Sequence, residues 1–420
     1  MAPVPGQFDR GGHLGDPAEH HRQARSRPAG LNPVAGREMP MELVLNEDQE
    51  LIAKTALDFV EENSPVSRFR ALRDANDPLG YSPELFKEMA ELGWTGIPFD
   101  EKVGGAGMGL AEFVLVVEAL GRKLAPEPFL GNVTMAGSAL ALAGESALRD
   151  AWLPAIIDAS KVVSLAHQEP RSRYDVFAIE TRAESGDGGF RLSGEKIQAL
   201  DAVGADAVIV PARTSGDPGD RDGITLFLLE KDAAGLSIER QVRVDHRNAG
   251  LIRLKDVPCA ASAVLGAVGE GGRILEAVLD RAIVVLAAEM LGGMSEAFEL
   301  TLEYLKTRDQ FGVKIGSFQA LAHRAAKVYM EIELARSTVM AASRALDSGD
   351  PQAARLVSLA KARCSDAYVL ATNEGVQMFG GVGMTDEYDI GFYMKRARAS
   401  ELTFGDAAYH RARWAMLGHY

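Results

Sequence analysis

Two kinds of spacing between apolar residues alternate along the chain. From residue 41 to residue 158, apolar positions recur every three or four residues, which predicts an all-helical segment. Asn46 with Gln49 three residues later resembles a capping box and predicts that the first helix begins there. Ser82 followed by Pro83 predicts a second helix start, because serine caps a helix and proline suits its first turn.

Strand-like composition replaces the helical period between residues 159 and 267. Short β-branched runs, such as 162–167 and 177–184, are separated by turns rich in glycine, aspartate and proline. These runs predict an antiparallel β-domain. From residue 268 to residue 420 the helical period returns, with a break at Ser348–Pro351.

Two long helices are predicted in this last segment, with a polar corner between them at residues 304–319. The first helix is apolar nearly all round from Ala282 to Leu291, so it is expected to be buried. The second is expected to begin at Ser317, a favourable N-cap residue.

The polar corner combines residue types that suit an anionic ligand. Arg308 can bind phosphate oxygens two at a time, and Gly312 lets the backbone approach a ligand closely. Gln310 and Phe311 add an amide and an aromatic ring. These residues alone leave two interpretations open: a site for an anionic cofactor, or a helix–helix corner with an exposed arginine.

Composition argues against several classes of function. The net charge of −14 over 420 residues is unsuitable for a nucleic-acid binder, which needs a basic face. The two cysteines, Cys259 and Cys364, form neither a disulfide framework nor a metal-ligand spacing, so no metal and a reducing cytoplasmic location are expected. No run of 18 uncharged apolar residues occurs, so no membrane span is expected.

Two glycine-rich stretches stand apart from the periodic pattern. Residues 1–40 are rich in Gly, Pro, Arg and His, and we predict a disordered N-terminal extension. The loop Gly104–Gly109 contains glycines like those of a dinucleotide-binding turn. No buried strand precedes it and no second βαβ unit follows, so a turn between helices is predicted instead.

Two separated motifs resemble the acyl-CoA dehydrogenase family. The run Arg308-Asp-Gln-Phe-Gly312, followed by Ile315-Gly-Ser-Phe-Gln319, is similar to one family signature. About 60 residues later, Gln377-Met-Phe-Gly-Gly-Val-Gly is similar to the family's Gln-x-x-Gly-Gly-x-Gly segment. Within the family, the chain most resembles the bacterial branch that contains subunits of heteromeric enzymes.

The resemblance implies an α+β fold with three domains. These are an N-terminal helical domain at 41–158, a middle antiparallel β-barrel or sandwich at 159–267, and a C-terminal four-helix bundle at 268–420.

The resemblance also implies a reaction, a cofactor and partners. The reaction is α,β-dehydrogenation of an acyl-CoA thioester with FAD, and an electron-transfer flavoprotein accepts the electrons. At least a dimer is implied, usually a dimer of dimers, of identical or paralogous subunits. The positions matching FAD contacts are Arg308, Gln310 and Phe311, for the diphosphate and adenine, and Gln377, Gly380 and Gly381, for a pyrophosphate-side segment that a neighbouring subunit supplies.

The chain departs from the family at both usual positions of the catalytic base. Phe404 stands where many members have the glutamate of Ile-Tyr-Glu-Gly-Thr, and it cannot take up a proton. Ala282 stands at the alternative glutamate position on the long helix. Asp280 is the nearby candidate, whereas Glu289 is expected to be a satisfied or solvated helix carboxylate. The catalytic residue is therefore left unassigned.

The flavin-facing positions of the β-domain differ as well. Tyr174 replaces a small serine, and Gln198 replaces the tryptophan that packs on the flavin ring in the family. We therefore expect the contacts to the FAD diphosphate to be retained, while the contacts to the flavin ring and the position of the catalytic base are altered.

Three hypotheses are compatible with this combination. The chain is an acyl-CoA dehydrogenase active on its own with a displaced base, or it is a base-lacking partner subunit of a heteromeric enzyme for bulky acyl-CoAs such as steroid side chains. A redox-inert scaffold is the third, but it leaves Arg308 and the Gly380–Gly381 pair without a role.

Overall fold

Helices form the first part of the computed structural model, which describes residues 44–186 and 188–420. The predicted extension, residues 1–40, lies outside the described residues. The helices are α1 (Glu47–Asn63), α2 (Val66–Asp74), α3 (Pro83–Glu91), α4 (Leu110–Arg122), α5 (Ser138–Leu142) and α6 (Ala147–Ile157). A buried, wide-turned helical segment, Phe129–Gly137, leads directly into α5.

The predicted helix starts are confirmed. Asn46 accepts from the backbone N–H of Gln49, and the Gln49 side chain accepts from Asn46 in return, which completes the capping box of α1. Ser82 caps α3 with Pro83 in its first turn. The glycines of Gly104–Gly109 lie in a turn before α4 and follow no strand, as predicted.

One mixed sheet follows the helices. Its strands are β1 (Val163–Leu165), β2 (Arg182–Gly186), β3 (Gly189–Leu200), β4 (Ala207–Arg213), β5 (Ile224–Glu230), β6 (Leu236–Arg240), β7 (Ala249–Ala260) and β8 (Val264–Leu265). The order is β6-β7-β3-β2-β4-β5-β8, and β1 pairs with β4. Most neighbours are antiparallel as predicted, but β1 and β2 both pair with β4 in parallel.

The strand predicted at 177–184 is wrong over its first half. The chain becomes extended only at Arg182, and the carbonyl of Phe177 accepts from the guanidinium of Arg213 and from the backbone of Gly219. Local hydrogen bonds therefore use the groups that a strand ladder would need.

Long helices make up the last part. They are α7 (Gly271–Thr307), α8 (Gln319–Ser348), α9 (Ala353–Phe379), α10 (Ile390–Leu402) and α11 (Ala407–Leu417), with a short hairpin of β9 (Asp309–Gln310) and β10 (Val313–Lys314) between α7 and α8. The break at Ser348–Pro351 is confirmed, since Gly349 adopts φ +64° after α8. No helix among the described residues is long and apolar enough to cross a bilayer.

The predicted N-cap Ser317 is wrong. Ser317 ends a 3₁₀ turn and its hydroxyl donates to the carbonyl of Lys314 at 2.7 Å, whereas Phe318 occupies the cap position of α8.

Helix α7 is the central element of the core, as its apolar segment predicted. Ala282 and its neighbours to Leu291 are buried, and α4 crosses them at two glycines. A Cβ on Gly292 would lie 1.9 Å from the carbonyl oxygen of Glu118, and one on Gly121 would lie 2.2 Å from that of Glu289. The two helices therefore approach closely only because both positions lack a side chain. Helices, sheet and helices in this order give the predicted α+β architecture.

Candidate functional site

A cavity of about 550 Å³ lies between the loop after β1, helix α7 and the C-terminal segment around α11. Its walls include His167 and Tyr174 from the loop, Asp280 from α7, and Phe404 and Arg413 from the C-terminal segment. The cavity thus contains two of the positions at which the sequence departs from the family it resembles, Tyr174 and Phe404.

Phe404 forms one wall, so the position of the usual base carries a hydrocarbon ring. Its ring centroid is 5.8 Å from that of His167, and its φ of +59° is unusual for a residue other than glycine. His410 places Nε2 3.0 Å from the carbonyl oxygen of Phe404. The backbone that carries Phe404 is therefore tied to α11.

A buried lysine holds the same loop from the other side. Lys361, fully buried on α9, donates to the carbonyls of Glu401 and Gly405 at 3.0 and 2.8 Å and to the hydroxyl of Ser365 at 3.1 Å. Burial lowers the pKa of Lys361 to about 7. Burial likewise lowers the pKa of His410 to about 3, so this imidazole is neutral.

Two α7 carboxylates, Glu276 and Asp280, line the cavity, and Asp280 is the more buried of the two. Its Oδ1 lies 2.8 Å from Nη2 of Arg413. Burial raises the pKa of Asp280 to about 6, although Arg413 opposes the shift. An aspartate in this state can exchange a proton near neutral pH.

The other two α7 positions do not supply a base. Ala282 is fully buried, and the helix turns it away from the cavity wall that Asp280 and Ile283 form. Glu289 is a satisfied carboxylate, as expected: Arg247 and Arg396 lie 2.5 and 2.9 Å from its two oxygens. These guanidinium groups lower the pKa of Glu289 against the opposing effect of burial.

The two altered flavin-facing positions are both engaged in contacts within the chain. The ring centroid of Tyr174 lies 5.2 Å from that of Tyr409. The side-chain oxygen of Gln198 accepts from Arg243 at 2.7 Å, and the same guanidinium lies 3.4 Å from the hydroxyl of Thr403. Arg243 therefore joins the middle sheet to the residue that precedes Phe404.

Sequence reasoning missed Lys361, His410, Arg243 and Arg413. Their partners are mostly backbone carbonyls or side chains that are distant in sequence, and no local spacing pattern reveals such pairs. The sequence signal that existed was weaker: a lysine and a histidine inside otherwise apolar helix faces.

The residues matched to FAD contacts lie on the surface. Arg308 and Gln310 are exposed, and Phe311 at the tip of the β9–β10 hairpin is 90% exposed with φ +53°. Gln377 is exposed near the end of α9, and Gly380 follows with φ +71° and open space where a Cβ would be.

The two matched segments are brought together within one chain. The ring of Tyr304, in the last turn of α7, stacks on that of Phe379 with centroids 4.3 Å apart. Arg308 and Phe379 border the same surface groove of about 360 Å³. Glu303 also lines this groove, whereas Gln377, Gly380 and Gly381 are not among its lining residues.

Both cysteines are buried. Burial raises the pKa of Cys259 to about 11 and that of Cys364 to about 12, so neither thiol is ionised at neutral pH.

Known proteins resemble this chain along nearly its whole length. Family models match in order: "Acyl-CoA dehydrogenase, N-terminal domain" at residues 46–160, the middle domain at 164–257 and the C-terminal domain at 269–417. The curated short-chain-specific acyl-CoA dehydrogenase of Megasphaera elsdenii is 30% identical over 375 residues, covering 87% of this chain and 96% of that protein.

Two solved structures share the fold. A chain of a variant of the Tcur3481–Tcur3483 steroid ACAD has a TM-score of 0.79 and 30% identity, covering 89% of this chain and 98% of its own. The FAD complex of PigA has a TM-score of 0.83 and 25% identity, with the same coverage. With all three domain models matched, the chain belongs to the acyl-CoA dehydrogenase family.

Proposed function

We propose that this chain is the base-lacking subunit of a heteromeric, FAD-dependent acyl-CoA dehydrogenase. The observation that carries the proposal is that the position of the usual base is apolar, while the residues matched to the FAD diphosphate are present and exposed. The wall of its own cavity presents the hydrocarbon ring of Phe404, while Arg308 and the Gly380–Gly381 backbone are exposed for a ligand shared with another chain.

The diphosphate half of the cofactor is matched by residues of this chain. Arg308 would bind phosphate oxygens of one flavin, and Gln377 with the open backbone of Gly380 and Gly381 would donate hydrogen bonds to the pyrophosphate of the flavin of a neighbouring subunit. When bound, FAD would be the acceptor of the hydride that leaves the β-carbon of the acyl group. The 25% identity to a chain solved as an FAD complex supports this assignment.

The proton half of the reaction is what this chain lacks. Removal of an α-proton requires a carboxylate positioned in a water-poor site, and Phe404 on a firmly held loop cannot perform that step. We assign the base to a paralogous partner. The similarity to a steroid ACAD that carries two protein names supports a heteromer and a bulky acyl-CoA substrate.

A second candidate function rests on Asp280. Its cavity position and raised pKa favour a chain that is active alone with a displaced base. In both cases we propose that an electron-transfer flavoprotein reoxidises the flavin in the cytoplasm.

One set of measurements separates the two candidates. The chain is purified alone and with a candidate paralogous partner, and flavin absorbance and acyl-CoA-dependent dye reduction are recorded for each. We expect both signals only in the mixture, and we expect Asp280→Asn to retain most of the activity of the mixture. Activity of the chain alone that Asp280→Asn abolishes would establish the second candidate instead.

A variant that restores a carboxylate tests whether the catalytic base is the only missing part. Phe404→Glu should not create activity in the chain alone, because Tyr174 and Gln198 also differ from the flavin-facing residues that the family resemblance implies. Turnover by Phe404→Glu alone would mean that only the base is missing and would contradict the partner-subunit proposal.

A further inference from the structure

Helix α7 presents two consecutive charged residues to two different cavities. Asp280 faces the large cavity described above, and Arg281 lines a second cavity of about 240 Å³. The walls of the second cavity come from the loop after α3, from α5 and from α6. Neither the proposed dehydrogenation nor the FAD contacts involve it.

Arg281 forms no close ion pair with the residues that the structure describes. Among residues 44–186 and 188–420, the carboxylate that acts on it is that of Asp347, at a distance where no hydrogen bond joins the two side chains. Asp347 is already engaged, because it accepts from the backbone N–H groups of Leu110 and Ala111 at 2.8 and 2.9 Å. A partly buried guanidinium with only a distant carboxylate is costly, and an anionic ligand would offset that cost.

The remaining walls define what kind of anion is accommodated. Phe99 and Leu153 are buried apolar side chains, and Val103 and Leu142 add apolar surface nearer the opening. A hydrated inorganic anion gains little from such walls, whereas an apolar tail does.

Two further charged groups at this cavity are already satisfied. Arg149 pairs with Asp150 at 2.8 Å, and the carboxylate of Asp100 accepts from the backbone of Lys102 at 2.9 Å. Asp100 is exposed to solvent, so Arg281 is the cation at this cavity that has no ion pair among the described residues and is available to an anionic ligand.

We propose that this second cavity binds a short-chain carboxylate, with the carboxylate group on Arg281 and the alkyl tail against Phe99, Leu142 and Leu153.

Calorimetric titration of the full chain tests the site with butyrate, hexanoate and octanoate, and with hexanol and hexylamine as neutral and cationic analogues. We expect saturable binding of hexanoate that is tighter than that of butyrate, and no binding of hexylamine. Arg281→Met should weaken hexanoate binding at least tenfold. Equal binding of hexanol and hexanoate, no saturable binding of any acid, or unchanged affinity in Arg281→Met would overturn the proposal.

Two more variants keep the result specific. Leu142→Trp fills the opening while Arg281 stays in place, so it should also weaken binding and serves if Arg281→Met does not fold. Arg413 lines the larger cavity and not the second one, so Arg413→Met should leave hexanoate affinity unchanged. Loss of binding in Arg413→Met, but not in Arg281→Met, would assign the acid to the larger cavity and refute the site.

Discussion

Lys361 shows what a single buried cation does to the stability of this molecule. Its three acceptors are neutral oxygens, and burial lowers its pKa to about 7 from the usual 10.5. Between these values the unfolded chain binds the proton more readily than the folded one, so this residue makes the folded state more stable as pH rises from 7 to 9.

Lys361→Met should remove this dependence. Relative to the variant, we expect the free energy of unfolding of the natural chain to increase by on the order of 2 kcal/mol between pH 7 and 9, as measured by urea titration. Parallel stability curves for the two proteins over this interval would show that Lys361 does not titrate there.

Asp280 should make the free energy of unfolding decrease with rising pH, opposite to Lys361, and in a lower pH range. Burial raises its pKa to about 6 from the usual 3.8, so the folded state binds the proton more tightly and loses stability as pH rises from 4 to 6. Asp280→Asn should flatten this loss, by on the order of 2 kcal/mol over the interval in urea titrations. Asp366→Asn, at a half-exposed carboxylate on α9, is the matched control and should follow the natural chain.

The role of a single residue could be predicted from the sequence where a family motif showed which residue to expect at that position. The hydrocarbon at Phe404 was recognised because a glutamate was expected there, and the structure puts that ring in the cavity wall. Lys361 and His410 could not be recognised, because their acceptors are carbonyl oxygens whose directions depend on how the chain folds between residues 401 and 405.

Among the elements, the crossing of α4 and α7 is the contact most sensitive to added volume. A Cβ at Gly292 would overlap the carbonyl of Glu118, and helix backbones cannot yield as a flexible side chain can. Gly292→Ala should therefore lower the free energy of unfolding by about 1–3 kcal/mol or prevent folding.

Gly391→Ala is the matched control for this contact. It lies in α10 with no atom within 4 Å of the added Cβ, so alanine should stabilise the helix by about 0.5–1 kcal/mol. Equal melting temperatures for the two variants would contradict the close-contact interpretation.

Element boundaries were predictable where local chemistry decides them. Asn46 and Ser82 cap their helices as the sequence indicated, because the capping groups are within three residues of each other. Ser317 failed as a cap because its hydroxyl turns back to Lys314. The parallel pairing of β1 with β4 also escaped prediction, since the register of distant strands is set by the sheet and not by the strand itself.

At the scale of the whole molecule, the proposed contact between Arg308 and the FAD diphosphate can be tested by removing the charge of this arginine. Arg308→Ala should lower flavin affinity about tenfold or more in the assembled protein, because a charge-assisted phosphate contact contributes about 1.5–3 kcal/mol. Bound flavin per subunit, read from absorbance after gel filtration, is the measurement. Arg398→Ala, an exposed arginine on α10, should leave it unchanged; equal flavin content in both variants would refute the role of Arg308.

The order of helices, sheet and helices was predictable from periodicity, and two motifs identified the family. The identity of the partner subunit was not predictable, because one sequence does not contain the complementary surface that would contact it. Arg308, Gln377 and Gly380 look like solvent-exposed residues when the chain is considered by itself.

The two buried thiols also make this protein convenient for fluorescence work. Because Cys259 and Cys364 are protonated and shielded, maleimide dyes should react with neither in the native state. A single added thiol, such as Phe311→Cys at the exposed hairpin tip, would then carry the only fluorophore and could report the arrival of a second subunit in real time.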